Sequence, residues 1–102
     1  MSQHHPRLTG QTAIVTGGSA GIGYDTCLAL AREGARLVIV GRDSERLAQT
    51  AKTAVELSPE STPPPICMSL DVRSESDMRQ MAAETSKACG QIDILVHAAG
   101  IL

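Results

Sequence analysis

The chain has 102 residues, of which 42% are hydrophobic and 20% charged, and its formal net charge is −2. That length holds one small domain with a thin stability margin. The balance is that of a folded globular chain, and no segment gathers enough Lys or Arg to suit nucleic acid or an acidic membrane surface.

Residues 1–7, which include His4 and His5, read as a loose leader without the apolar stretch of a signal peptide. Residues 8–102 read as the domain. Thr12 to Thr16 is a short β-rich run that ends in Gly17-Gly18. From Ile22 to Glu33 the period turns helical, with Ile22, Cys27, Leu30 and Ala31 available for one face, and Gly34 stops it. Leu37 to Val40 is continuously apolar, as expected of a strand in a parallel sheet covered on both faces. Asp43 or Ser44 caps a second helix running to Leu57, where Leu47, Ala51, Ala54 and Val55 line one side.

Four prolines between Ser58 and Pro65 then impose a surface loop. Ile66 to Asp71 reads as a third strand. Ser74 or Ser76 opens a third helix in which Met78, Met81, Ala82 and Thr85 recur at helical spacing, and Gly90 ends it. Ile92 to His97 is a fourth strand leading into Ala98-Ala99-Gly100.

This β-α-β-α-β-α-β order predicts an α/β fold, a Rossmann-type parallel sheet with helices on both faces, truncated after the fourth strand. The fourth strand is then expected to keep an unpaired edge. The chain alone is expected to be marginally stable or aggregation-prone. With one Tyr and neither Phe nor Trp, the core must come from aliphatic side chains and Met, and a base-stacking platform is disfavoured. Cys27, Cys67 and Cys89 lack CxxC or Cys/His spacing, which argues against zinc, and they read as buried, reduced thiols. No apolar run approaches the ~20 residues that span a bilayer. A cytoplasmic location is expected from the lack of targeting signals.

The strongest chemical signal is Thr16-Gly17-Gly18-Ser19-Ala20-Gly21-Ile22-Gly23, set between the first strand and the first helix. Gly17 permits a tight turn off the strand. Gly21 removes bulk where a pyrophosphate approaches the backbone, and Gly23 lets the helix pack closely on the sheet. The helix that follows aims free N–H groups and its positive dipole end at bound phosphates. A nucleoside-triphosphate P-loop is excluded, because no Gly-Lys-Ser/Thr follows.

These residues resemble the short-chain dehydrogenase/reductases. The family's T-G-x-x-x-G-I-G motif is matched by Thr16 through Gly23. Its Asp-Val pair after the third strand, which contacts the adenine, corresponds to Asp71-Val72. Its N-N-A-G element corresponds to His97-Ala98-Ala99-Gly100, in which both Asn positions are replaced. The resemblance covers residues 8–102 and is greatest to members of the 3-oxoacyl-carrier-protein reductase type. It implies a cofactor site formed by Thr16, Gly17, Ser19, Ala20, Gly21, Ile22, Gly23, Arg42, Asp71, Val72, Ala98, Ala99 and Gly100.

The cofactor expected is NADP(H). An enzyme that prefers NAD places an acid at the end of the second strand to accept bonds from the ribose hydroxyls. Here the residues are Gly41-Arg42, and a guanidinium suits a 2′-phosphate. Asp43 either caps the next helix or turns toward the ribose. In the family, a Ser and a Tyr-x-x-x-Lys pair carry catalysis beyond the fourth strand. Tyr24, the single Tyr, has Leu28 at the +4 position and cannot be that tyrosine. No residue is therefore assigned a catalytic role, His97 included. The resemblance implies the cofactor-binding part of an oxidoreductase that moves hydride between nicotinamide and a ketone or secondary alcohol. The parent would be homo-oligomeric and act on a small-molecule carbonyl. The alternatives are a non-catalytic NADP(H)-binding module or a truncated product, and a methyltransferase is disfavoured by Arg42.

Overall fold

A computed structural model describes residues 5–18 and 21–98. Ser19, Ala20, Ala99 and Gly100, all expected at the cofactor site, lie outside the described residues. The elements follow the expected order: β1 (Thr12–Thr16), α1 (Gly21–Arg32), β2 (Arg36–Gly41), α2 (Ser44–Leu57), β3 (Ile66–Ser69), α3 (Glu75–Cys89) and β4 (Ile94–His97). The strands form one parallel sheet in the order β3-β2-β1-β4.

Alternation along the strands divides the core into two layers. Ala13, Val15, Leu37 and Ile39 face α1 and α2, where they pack with Cys27, Ala31, Leu47 and Ala54. Ile14, Val38, Val40 and Met68 form the other layer with Met81 of α3. All of β1 is buried, which is why its sequence is apolar without alternation. The helix ends follow cap chemistry. Asp43 accepts the Glu45 and Arg46 amides at 3.1 and 3.2 Å, and Ser74 accepts that of Asp77 at 3.2 Å. Gly90 closes α3 at φ 84°.

Several expected faces need correction. Ile22, on the first turn of α1, is 77% exposed and takes no part in the core. Val55 and Ala82 are exposed, and Thr50 takes the buried place expected for Val55. Thr50 can be buried because its hydroxyl finds the Gly18 carbonyl at 3.2 Å and the Arg46 carbonyl at 3.0 Å. Of the cysteines, Cys27 is buried and Cys89 half-buried, whereas Cys67 is exposed on edge strand β3. β3 ends at Ser69 and β4 begins at Ile94, so both are shorter than their apolar runs. β4 is an edge strand, as expected, and its Leu95 is 62% exposed beside Ile14.

Thr85 of α3 is fully buried, and its hydroxyl has no hydrogen-bond partner among the described residues. An unpaired buried hydroxyl costs about 1–3 kcal/mol, whereas valine keeps the shape without the polar group. Thr85→Val is therefore expected to stabilise the chain by about 1 kcal/mol, read as a higher urea midpoint at unchanged slope. A lower midpoint would contradict the packing described for α3.

Candidate functional site

In an open parallel sheet, ligands bind beyond the carboxyl ends of the strands, where the strand order reverses. Here that point lies between β1 and β4. Of the described residues expected at the site, Thr16, Gly17 and Ala98 stand at these two strand ends, and Arg42, Asp71 and Val72 follow β2 and β3.

Gly17 leaves β1 at φ 78°, and its N–H donates to the Val40 carbonyl at 2.7 Å. The Gly18 N–H reaches the same carbonyl at 3.3 Å. These two amides fix the turn to β2. The first turn of α1 has N–H groups without intrahelical acceptors, the kind of donors a phosphate would take. This turn carries no acid to compete for its positive dipole end, whereas α2 and α3 begin with Glu45, and with Glu75 and Asp77.

The glycines divide the work differently from the sequence reading. A Cβ on Gly23 would lie 1.9 Å from the Gly17 oxygen and 2.6 Å from its carbonyl carbon. Gly23 therefore admits the glycine turn itself, a correction to its expected contact with the sheet. The residue that packs on the sheet is Gly18, whose Cβ would meet Ile39 Cγ2 at 2.5 Å and Cys27 Sγ at 3.0 Å. Motif spacing gave no role to Gly18; its only signal was a second consecutive glycine. Gly21 stands at φ 58°, and among the described residues nothing but its chain neighbours comes within 4 Å of the space a Cβ would fill. Burial, with a smaller contribution from Cys67, pushes the Cys27 thiol up to about 12, so beneath this turn it is a packing group and not a nucleophile.

Arg42 follows β2 and is exposed. The Ser69 hydroxyl donates to its carbonyl at 3.0 Å and ties that end to β3. Of the two readings of Asp43, the structure gives the helix cap, with Arg46 also 3.5 Å away. Asp71 accepts the Arg73 backbone N–H at 2.9 Å and the Arg73 guanidinium at 3.2 Å through each oxygen. The Arg42 guanidinium stands 3.6 Å off. Arg73's hydrogen bonds, with smaller charge contributions from Arg73 and Arg42, hold the Asp71 carboxyl below its ordinary range. Val72 is half-buried against the α3-side core. Arg42, Ser69, Leu70, Asp71 and Asp77 line a recess of about 210 Å³ at this corner.

At the end of β4, the Ala98 N–H donates to the Thr16 carbonyl at 3.0 Å. The Thr16 hydroxyl lies 2.8 Å from His97 Nδ1, a bond that either partner can donate. His97 thus joins β4 to β1 in the place of the expected Asn. A larger cavity of about 650 Å³ lies between β3 and α3. It runs along β3 from Ile66 to Leu70 and reaches Ala88, whose carbonyl is bonded by Arg36 at the start of β2; no described residue of the glycine turn lines it. Among the described residues, no His, Cys, Asp or Glu cluster suits a metal, and no helix is long and apolar enough to cross a membrane.

Residues 11–102 match the short chain dehydrogenase family model. The chain belongs to the short-chain dehydrogenases. It is 36% identical over 95 residues to an uncharacterized oxidoreductase of Staphylococcus saprophyticus, covering 93% of this chain and 39% of that protein. Among solved structures, a metagenomic short-chain oxidoreductase in complex with NADP is similar at TM-score 0.83 and 32% identity, covering 92% of this chain and 41% of that one. An NAD+-bound xylitol dehydrogenase is similar at TM-score 0.79 and 26% identity, covering 87% and 33%. This short-chain dehydrogenase chain spans about a quarter to two-fifths of the length of the curated relatives it matches.

Proposed function

We propose that this short-chain dehydrogenase chain binds NADP(H). It would form the cofactor-binding part of an oxidoreductase that acts on a ketone or secondary alcohol, in a homo-oligomeric parent. The observation that carries the cofactor choice is Arg42 at the end of β2, exposed, with its neighbour Asp43 committed to the α2 cap. A guanidinium there recognises a 2′-phosphate and cannot accept a ribose hydroxyl. One relative of this fold is solved with NADP and another with NAD+, so the fold alone does not choose the cofactor and the reading rests on Arg42.

A bound nicotinamide supplies the hydride donor or acceptor. The chain's own residues bind and orient. The first turn of α1 holds the pyrophosphate, the open space over Gly21 admits it, and Thr16 with His97 keeps the ends of β1 and β4 in register. Titration with each reduced cofactor tests the reading. NADPH is expected to bind about tenfold or more tighter than NADH, and equal affinity would overturn the choice. NADPH oxidation with small ketones, measured alongside, separates an enzyme from a module that only binds.

A further inference from the structure

Two guanidiniums share one carboxylate at the corner where β2 and β3 end. Arg42 leaves β2, and Arg73 follows β3 by four residues. Asp71 accepts both the backbone N–H and the side chain of Arg73, so the turn itself holds that guanidinium at the carboxylate. The same carboxylate lies 3.6 Å from Arg42, beyond hydrogen-bond length, and holds it by charge alone.

The neighbouring acids have hydrogen-bond partners of their own. Asp43 takes the α2 amides and Arg46, and Asp77 accepts the Asp71 N–H at 2.9 Å. Asp77 also lines the recess, so the two arginines and two carboxylates of this corner balance in charge, and what it offers an anion is the guanidinium N–H donors that Asp71 leaves unused. Both arginine side chains are largely exposed, at 64% for Arg42 and 73% for Arg73. Arg73 uses Nε and one hydrogen of Nη2 on Asp71, which leaves three of its five N–H donors for another acceptor. A phosphomonoester carries about −1.5 to −2 charges at neutral pH and offers three oxygens, which suits two guanidiniums better than one.

We propose that Arg73 is a second ligand of the 2′-phosphate, held beside Arg42 by Asp71, and is thus a specificity-determining residue. This rests on the NADP(H) reading above. Asp71 is then a positioning residue for both arginines. The sequence motif, which pairs Asp71 with the adenine, gives Arg73 no part.

The test titrates the 102-residue chain and its Arg73→Ala, Arg73→Lys and Arg42→Ala variants with NADPH and with NADH. Arg73→Ala is expected to weaken NADPH about tenfold and to leave NADH within about twofold, with Arg73→Lys recovering part of the loss. If Arg73→Ala weakens both cofactors equally, Arg73 only supports the Asp71 turn and the proposal falls. An unchanged NADPH affinity overturns it as well. If the parent chain shows no NADPH preference, the proposal falls together with the NADP(H) reading. If Arg42→Ala removes the preference and Arg73→Ala keeps it, the proposal alone falls.

Discussion

Gly23→Ala is expected to abolish NADPH binding and to lower stability by about 3 kcal/mol. The added Cβ would meet backbone only: the Gly17 oxygen at 1.9 Å, its carbonyl carbon at 2.6 Å and Gly18 Cα at 3.1 Å. No flexible side chain is there to step aside, so α1 and the glycine turn must separate. Separation pulls on the bonds from Gly17 and Gly18 to the Val40 carbonyl, and it moves the α1 amides away from the phosphate position. Gly21→Ala makes a useful contrast. Its Cβ meets nothing among the described residues, and its cost is the positive φ alone, about 1 kcal/mol. Denaturant midpoints and NADPH titrations of the two variants measure the difference. A Gly23→Ala chain with the parent midpoint would show that the turn and α1 are not packed as described.

The second large effect belongs to Arg42→Asp, which is expected to weaken NADPH about a hundredfold and to reverse the preference in favour of NADH. It replaces the cation that faces a 2′-phosphate with an anion, and it sets a second carboxylate near Asp71. A carboxylate can accept bonds from the ribose hydroxyls of NADH but is repelled by the extra phosphate. Arg42 is exposed and Asp43 still caps α2, so the fold is expected to survive and the loss to be specific to NADPH. A titration that returns the parent's NADPH-to-NADH ratio would remove Arg42 from the site.

The fold was legible because its signals are local. Glycines, prolines and caps mark every boundary between the elements, and the buried run of β1 and β2 announces a sheet covered on both faces. The errors fall where tertiary context decides. Helical spacing marks Val55 and Ile22 as apolar but does not reveal that a satisfied Thr50 takes the buried place, or that Ile22 on the first turn of α1 is left exposed. At the site, the motif located the turn and Arg42. It did not reveal that Gly18 is the glycine packed on Ile39 and Cys27, or that Gly23 makes room for Gly17. The pairing of Arg73 with Asp71, and of Asp71 with Arg42, joins residues from two strand ends. No spacing within one segment encodes the contact between Arg42 and Asp71.

The central claim is that a nicotinamide dinucleotide lies across the carboxyl ends of β1, β2 and β4, with its 2′-phosphate at Arg42. Amide chemical-shift mapping of the chain during NADPH titration tests this most directly. Shifts are expected at Gly17, Gly18 and Gly21 to Gly23, at Arg42, Asp71 and Val72, and at His97 and Ala98, and those at Arg42 and Asp71 should shrink when NADH replaces NADPH. Shifts confined to the cavity between β3 and α3, around Met68, Glu84 and Lys87, would contradict the account.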